Sequence, residues 1–185
     1  MLRAELEGDS GMLTIIGAGA VGVTLATYLS AAARPLRLYA RPKDVAGFQA
    51  AGQLKLHRPR GGLLTAPLPA LTQQLFDADS SGLVIATKFS ALEGLLPALR
   101  EAPAGLPVIT TLNGVQALAL LRRELPALPV TALTIMFNAQ LDGPLQARLT
   151  TKPAVIVSGG NTALYDTLQG TGLAVRRSAG DTAPW

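Results

Sequence analysis

The chain has 185 residues, enough for one domain, and 49% of them are hydrophobic, enough for a substantial core. Aromatics make up only 4%, so that core is aliphatic; there is no cysteine, which excludes disulfides and thiolate metal sites and is compatible with a cytoplasmic location. The net charge of +4 comes with only 15% charged residues, without a dense basic stripe or aromatic stacking platforms, which argues against nucleic acid as a partner.

Residues 1–11 carry Glu5, Glu7 and Asp9, too acidic a start for a signal peptide, and read as a flexible lead. No apolar run reaches the length of a membrane span. Residues 12–16, Met-Leu-Thr-Ile-Ile, read as a strand running into Gly17-x-Gly19-x-x-Gly22, and a helix over 20–33 follows, with Val21, Leu25 and Leu29 on one face. This is the strand–turn–helix of a dinucleotide site. Gly17 permits the tight turn, Gly19 lets a pyrophosphate approach the backbone, and Gly22 lets the helix pack close to the strand. The alternative is a glycine turn that binds nothing.

Arg34-Pro35 ends the helix, and 36–40 reads as a second strand. Pro42 starts a helix that ends by Gly52. Residues 54–57 alternate like a half-buried strand, with 63–66 as the hairpin partner, and 67–81 has no legible pattern. Residues 82–87 are an apolar run typical of a parallel strand buried on both faces. A helix over 90–100 with Leu92, Leu95, Leu96 and Leu99 inward, a strand over 107–112, a helix over 116–125 and a strand over 130–137 follow. Residues 145–150 and 154–158 read as antiparallel strands joined at Lys152-Pro153, then come a helix over 162–169 and a last strand over 173–177. The alternation predicts a doubly wound, mainly parallel α/β sheet of the Rossmann type over 12–177, with a small antiparallel addition near the C-terminus.

Ligands of such sheets bind outside the carboxyl ends of the strands. Arg41 follows the second strand, where an NAD-preferring site would carry an acid; its planar fork suits a 2′-phosphate, with Lys43 nearby, or it is a solvated arginine. Asp44, the nearest acid, falls in the next helix. Lys88 ends a central strand, where a cation binds a substrate carboxylate or a cofactor phosphate, or is a surface lysine. Asn113 ends the next one, suited to a carboxamide, ribose or carbonyl, or is an Asn-Gly turn former. His57 is the only histidine and falls in the hairpin, away from that edge, which leaves neither a histidine base nor a histidine metal site.

Together these pieces resemble the N-terminal domain of the ketopantoate reductase (2-dehydropantoate 2-reductase) family. The resemblance rests on Ile16-Gly17-Ala18-Gly19-Ala20-Val21-Gly22, Tyr39-Ala40-Arg41, Ala86-Thr87-Lys88, Leu112-Asn113-Gly114 and the loop Phe137-Asn138-Ala139-Gln140-Leu141-Asp142-Gly143. It implies that Gly17, Ala18, Gly19, Ala20, Val21 and Gly22 hold the pyrophosphate of NADP(H), and that Arg41 meets its 2′-phosphate. Lys88 and Asn113 would line the cofactor–substrate cleft, and Ala139 would touch the cofactor through its backbone. The family moves a hydride from NADPH to the keto carbon of 2-dehydropantoate, a small 2-keto acid, giving pantoate on the way to pantothenate and coenzyme A.

Gln116 stands where the family often has a second glycine, which narrows the cleft. Trp185 resembles the tryptophan that opens the family's helical second domain, and the catalytic lysine of that domain would lie beyond it. On this reading 178–185 is a linker, the helical domain is absent, no catalytic residue lies in this chain, and the chain alone is inactive. Apolar surface left uncovered would then promote self-association. The other reading is a stand-alone dinucleotide-sensing module or a non-catalytic relic.

Overall fold

The computed structural model describes residues 11–159, 161–178 and 180. Trp185, and most of the predicted lead and linker, lie outside them. Strand β1 (Met12–Ile16) is buried from its second residue onward and sits in mid-sheet. It pairs in parallel with β2 (Leu36–Tyr39) on one side and β6 (Ser80–Ile85) on the other, so Ile15 lies opposite both Leu38 and Val84. Outward from β2 comes β5 (Ala70–Thr72); outward from β6 come β7 (Val108–Thr110) and β8 (Val130–Ile135). All six are parallel. Beyond β8 the sheet gains β11 (Ala154–Val157), antiparallel to it, and β12 (Ala174–Arg177), parallel to β11. The order reverses between β1 and β6, the switch point of a doubly wound sheet.

Helix α1 (Ala20–Ala31) was predicted to have one apolar face, yet residues Gly22 through Leu29 are all buried. The reason is a second sheet on the far side of the helix, of order β4 (Leu63–Pro67), β3 (Gln53–His57), β10 (Gln146–Leu149) and β9 (Ala139–Gly143). The hairpin of β3 (Gln53–His57) and β4 (Leu63–Pro67) forms as predicted and places Leu54, Leu56 and Ala66 in the core shared with α1. A helix covered on both sides must be apolar all round. Its threonines satisfy their hydroxyls locally, Thr24 donating to the Ala20 carbonyl and Thr27 to that of Val23, both at 2.7 Å.

The antiparallel pairing predicted between 145–150 and 154–158 does not form. β10 (Gln146–Leu149) joins the small sheet, parallel to β3 and antiparallel to β9 (Ala139–Gly143), whereas β11 joins the large sheet. The 150–153 segment is thus a crossing between sheets rather than a hairpin turn. The small sheet is accordingly mixed, with one hairpin drawn from the first half of the chain.

On the opposite face of the large sheet, α3 (Phe89–Arg100) buries Leu92, Leu96 and Leu99, and α4 (Val115–Glu124) buries Ala117, Leu118 and Leu121. They cover Ile16, Leu83, Ile85 and Val108. Arg100 and Arg123 both reach Glu124 and hold its carboxyl below the usual carboxylate range. Helix α2 (Pro42–Ala51) follows β2, and the short α5 (Thr162–Leu168) is capped by Asn161, whose Oδ1 accepts from the Leu164 amide at 2.9 Å.

Gly47, exposed within α2, would offer an added Cβ open space. Gly47→Ala is expected to stabilise the protein by about 0.5–1 kcal/mol, because it removes backbone entropy from the unfolded chain at no steric cost. Thermal melting checks this; a lower Tm would show that α2 needs the freedom.

Candidate functional site

The carboxyl ends of the parallel strands form an open ledge on which the predicted residues stand in a fixed order. Arg41 follows β2, the glycine loop follows β1, Lys88 follows β6, Asn113 follows β7, and Ala139 opens β9 just past the end of β8.

The three glycines of the loop are needed for three different reasons. Gly17 has φ +118°, and a Cβ there would lie 2.6 Å from the Ala86 carbonyl oxygen and 3.0 Å from the Thr87 nitrogen. The loop is thus pressed onto the end of β6, where the Ala86 amide donates to the Ile16 carbonyl at 2.8 Å. At Gly22 a Cβ would stand 1.8 Å from the Gly17 carbonyl oxygen, which no side chain survives. Gly19, the N-cap of α1, has ordinary extended dihedrals and nothing within 4 Å of a built Cβ. Its missing side chain leaves open space in front of the helix N-terminus. No side chain caps that terminus, and no acid lies in its first turn. Ala18, Ala20 and Val21, half-buried, complete the loop and the first turn.

Such a cradle suits a pyrophosphate: unpaired amides and the positive end of the helix dipole face outward, with no Cβ to block approach. Thr87 stands next to the loop, and its buried hydroxyl has no hydrogen-bond partner.

Lys88 and Asn113 occupy equivalent places. Lys88 is the N-cap of α3, and Asn113 precedes Gly114, the N-cap of α4. Both side chains are exposed, and no other side chain among the described residues bonds to either. Each is followed closely by an exposed apolar residue, Phe89 and Val115, and Met136 is exposed at the end of β8. The ledge therefore alternates polar tips with apolar surface.

Arg41 is the N-cap of α2, and its guanidinium, 61% exposed, is held by Asp44, 24% exposed. Nε donates to Asp44 Oδ2 at 2.5 Å and Nη2 to Oδ1 at 3.3 Å. The hydrogen bond to Asp44 raises the Arg41 pKa further, so the group is a permanent cation. The part of Asp44 has one signal in the sequence, an arginine at the N-cap with an aspartate three residues on.

Ala139 pairs in register with Leu149 of β10, and the neighbouring Asn138 carbonyl accepts from the Thr150 amide at 3.0 Å. His57 lies on β3, with its Nε2 3.2 Å from Gln146 Nε2. Two depressions, of about 360 and 460 Å³, lie at the opposite edge of the sheet and take in none of the predicted residues. Among the described residues no cluster of His, Asp and Glu could hold a metal ion, and no helix is long and apolar enough to cross a membrane.

A family model described as ketopantoate reductase PanE/ApbA matches residues 13–161. The chain belongs to the ketopantoate reductase family. Solved structures with the same fold include a PanE/ApbA family ketopantoate reductase from Ralstonia eutropha JMP134, at 22% identity and TM-score 0.76, covering 91% of this chain and 56% of that one. A probable 2-dehydropantoate 2-reductase from Bacillus subtilis aligns at 17% identity and TM-score 0.74, covering 90% of this chain and 58% of that one. A D-mandelate dehydrogenase, solved with NADH and anilino(oxo)acetate, aligns at 22% identity and TM-score 0.72, covering 91% and 57%. The chain thus spans less than two thirds of the length of these relatives. No curated protein matches it. The ledge from Arg41 to Ala139 lies wholly inside the stretch that the family model matches.

Proposed function

We propose that this chain is the NADP(H)-binding domain of a 2-dehydropantoate 2-reductase-like oxidoreductase, serving the reduction of a small 2-keto acid. The observation that carries the reading is the difference between the glycines: Gly17 and Gly22 have no room for a side chain, while Gly19 faces open space at the switch point. A glycine turn with no ligand needs close packing, but it does not need the empty volume before a helix N-terminus.

Along the ledge, Arg41 meets a 2′-phosphate, and the amides from Ala18 to Gly22 face the pyrophosphate. A reduced nicotinamide bound there supplies the hydride. Lys88 and Asn113 orient the reacting end: the ammonium attracts a substrate carboxylate or a phosphate, and the Asn113 amide donates to or accepts from a carboxamide or carbonyl. Phe89, Val115 and Met136, exposed just past the ends of successive strands, offer that end apolar surface. The backbone at Ala139 closes the far side. None of the described residues is assigned the proton donor.

The test is a pair of dissociation constants, for NADPH and NADH, on the parent chain and on Arg41→Ala. NADPH should bind the parent more tightly. Arg41→Ala should lose on the order of tenfold in NADPH affinity, the usual scale for a charge-assisted phosphate contact, and keep its NADH affinity. Binding of neither dinucleotide would remove the site. An NADPH affinity that Arg41→Ala leaves unchanged would remove the phosphate role of Arg41.

A further inference from the structure

We propose that Asp44 is a specificity-determining residue of this site, limiting how strongly it prefers a 2′-phosphorylated dinucleotide over an unphosphorylated one. The inference rests on the reading of the β2 end as the ribose subsite.

A guanidinium has two edges that can bind an anion with two parallel hydrogen bonds: Nε with Nη2, and Nη1 with Nη2. Asp44 occupies the first, at 2.5 and 3.3 Å. Only the second remains for a phosphate, on a cation whose charge is already partly balanced. The start of α2 does little to compensate. Pro42 at its first position has no N–H, and the Asp44 amide is committed to the Arg41 carbonyl at 2.8 Å. Lys43, exposed beside them, is the other cation at this corner.

The carboxylate treats the two ligands oppositely. A dianionic 2′-phosphate on the open edge of Arg41 brings its charge close to that of Asp44, and the two repel. A free 2′-hydroxyl brings no charge and can donate to the Asp44 carboxylate, which stands in the first turn of α2 and is held at this corner by its ion pair with Arg41; an acid near the ribose favours the unphosphorylated form. The pair therefore offers a phosphate fork and a hydroxyl acceptor from one corner, so Arg41 alone does not set the preference.

Asp44→Asn tests this with little change of shape. Dissociation constants for NADPH and NADH, and for the half-ligands adenosine 2′,5′-bisphosphate and 5′-AMP, are measured on the parent, Asp44→Asn and Arg41→Ala. Asp44→Asn should raise the NADPH-over-NADH ratio roughly two- to five-fold, the range expected for one solvent-exposed charge pair. The two half-ligands should show the same change, since the effect is confined to the ribose end. An unchanged or lowered ratio, with Arg41→Ala still losing NADPH, would overturn the inference alone: Asp44 would then merely aim the fork. A parent chain that binds none of the four ligands would overturn the inference together with the reading beneath it.

Discussion

Gly22→Ala is expected to cost both the fold and the site. The new methyl carbon would start 1.8 Å from the Gly17 carbonyl oxygen, so either α1 moves off the loop or the loop opens. The helix cannot move freely, because it is packed between the large sheet and the Leu54, Leu56 and Ala66 face of the small one. Overpacking of this kind costs about 3 kcal/mol or more. For a chain of this size that lowers Tm by roughly 6–12 °C. NADPH affinity should fall at least about tenfold, because the amides of the loop lose their common orientation.

Gly19→Ala is the necessary contrast. Its methyl meets nothing within 4 Å and its backbone suits any residue, so Tm should stay within about 2 °C of the parent. Its NADPH affinity should fall about as far as that of Gly22→Ala, because the methyl stands where the pyrophosphate approaches. Melting curves with and without NADPH separate the two effects. A Gly19→Ala protein that still gains the parent's thermal shift would take the pyrophosphate away from this loop.

What the sequence made legible depended on how local the cause was. The strand–turn–helix at 12–22, the α2 boundaries at Pro42 and Gly52, and the leucines of α3 and α4 are fixed by residues near them in the chain. β5 was not legible. Ala70–Thr72 is an exposed residue and two half-buried ones behind Pro67 and Pro69, and it is a strand only because β2 offers an unpaired edge. Residues 139–143 belong to the loop named in the family resemblance and lack β-branched residues; pairing with β10 makes them β9, a mostly exposed strand. The mispairing of β10 with β11 has the same origin. Two adjacent strands joined by a short turn look like a hairpin, and only the placement of α1 between two sheets assigns them different partners. At the candidate site, the strand ends and their residues were legible, but the grip of Asp44 on Arg41 was not, since it depends on the rotamers at the start of α2.

The most nonlocal feature of all is the way the chain returns from β5 to β6. Residues 73–79 run from the carboxyl to the amino edge of the sheet without a helix, and Leu75 buries its side chain against the Ile16 and Leu83 core. At the end of this run Arg37 of β2, only 8% exposed, takes Asp77 with Nη1 and Asp79 with Nη2. The Asp79 carbonyl in turn accepts from the Met12 amide at 2.8 Å, so the clamp sets the entry into both β6 and β1. Arg37→Met keeps an apolar stem of similar length and removes the charge. Removing one partner of a fully buried pair costs about 3–5 kcal/mol, but both aspartates reach water here, so about 1–3 kcal/mol is expected. That corresponds to a Tm lower by roughly 2–12 °C. NADPH affinity should stay within about twofold, because Arg37 lies toward the amino end of β2 and the ledge at its carboxyl end. An unchanged Tm would mean that Leu75 and its neighbours hold the crossing without the clamp. A large loss of NADPH affinity at unchanged Tm would mean instead that the crossing positions the glycine loop through β1.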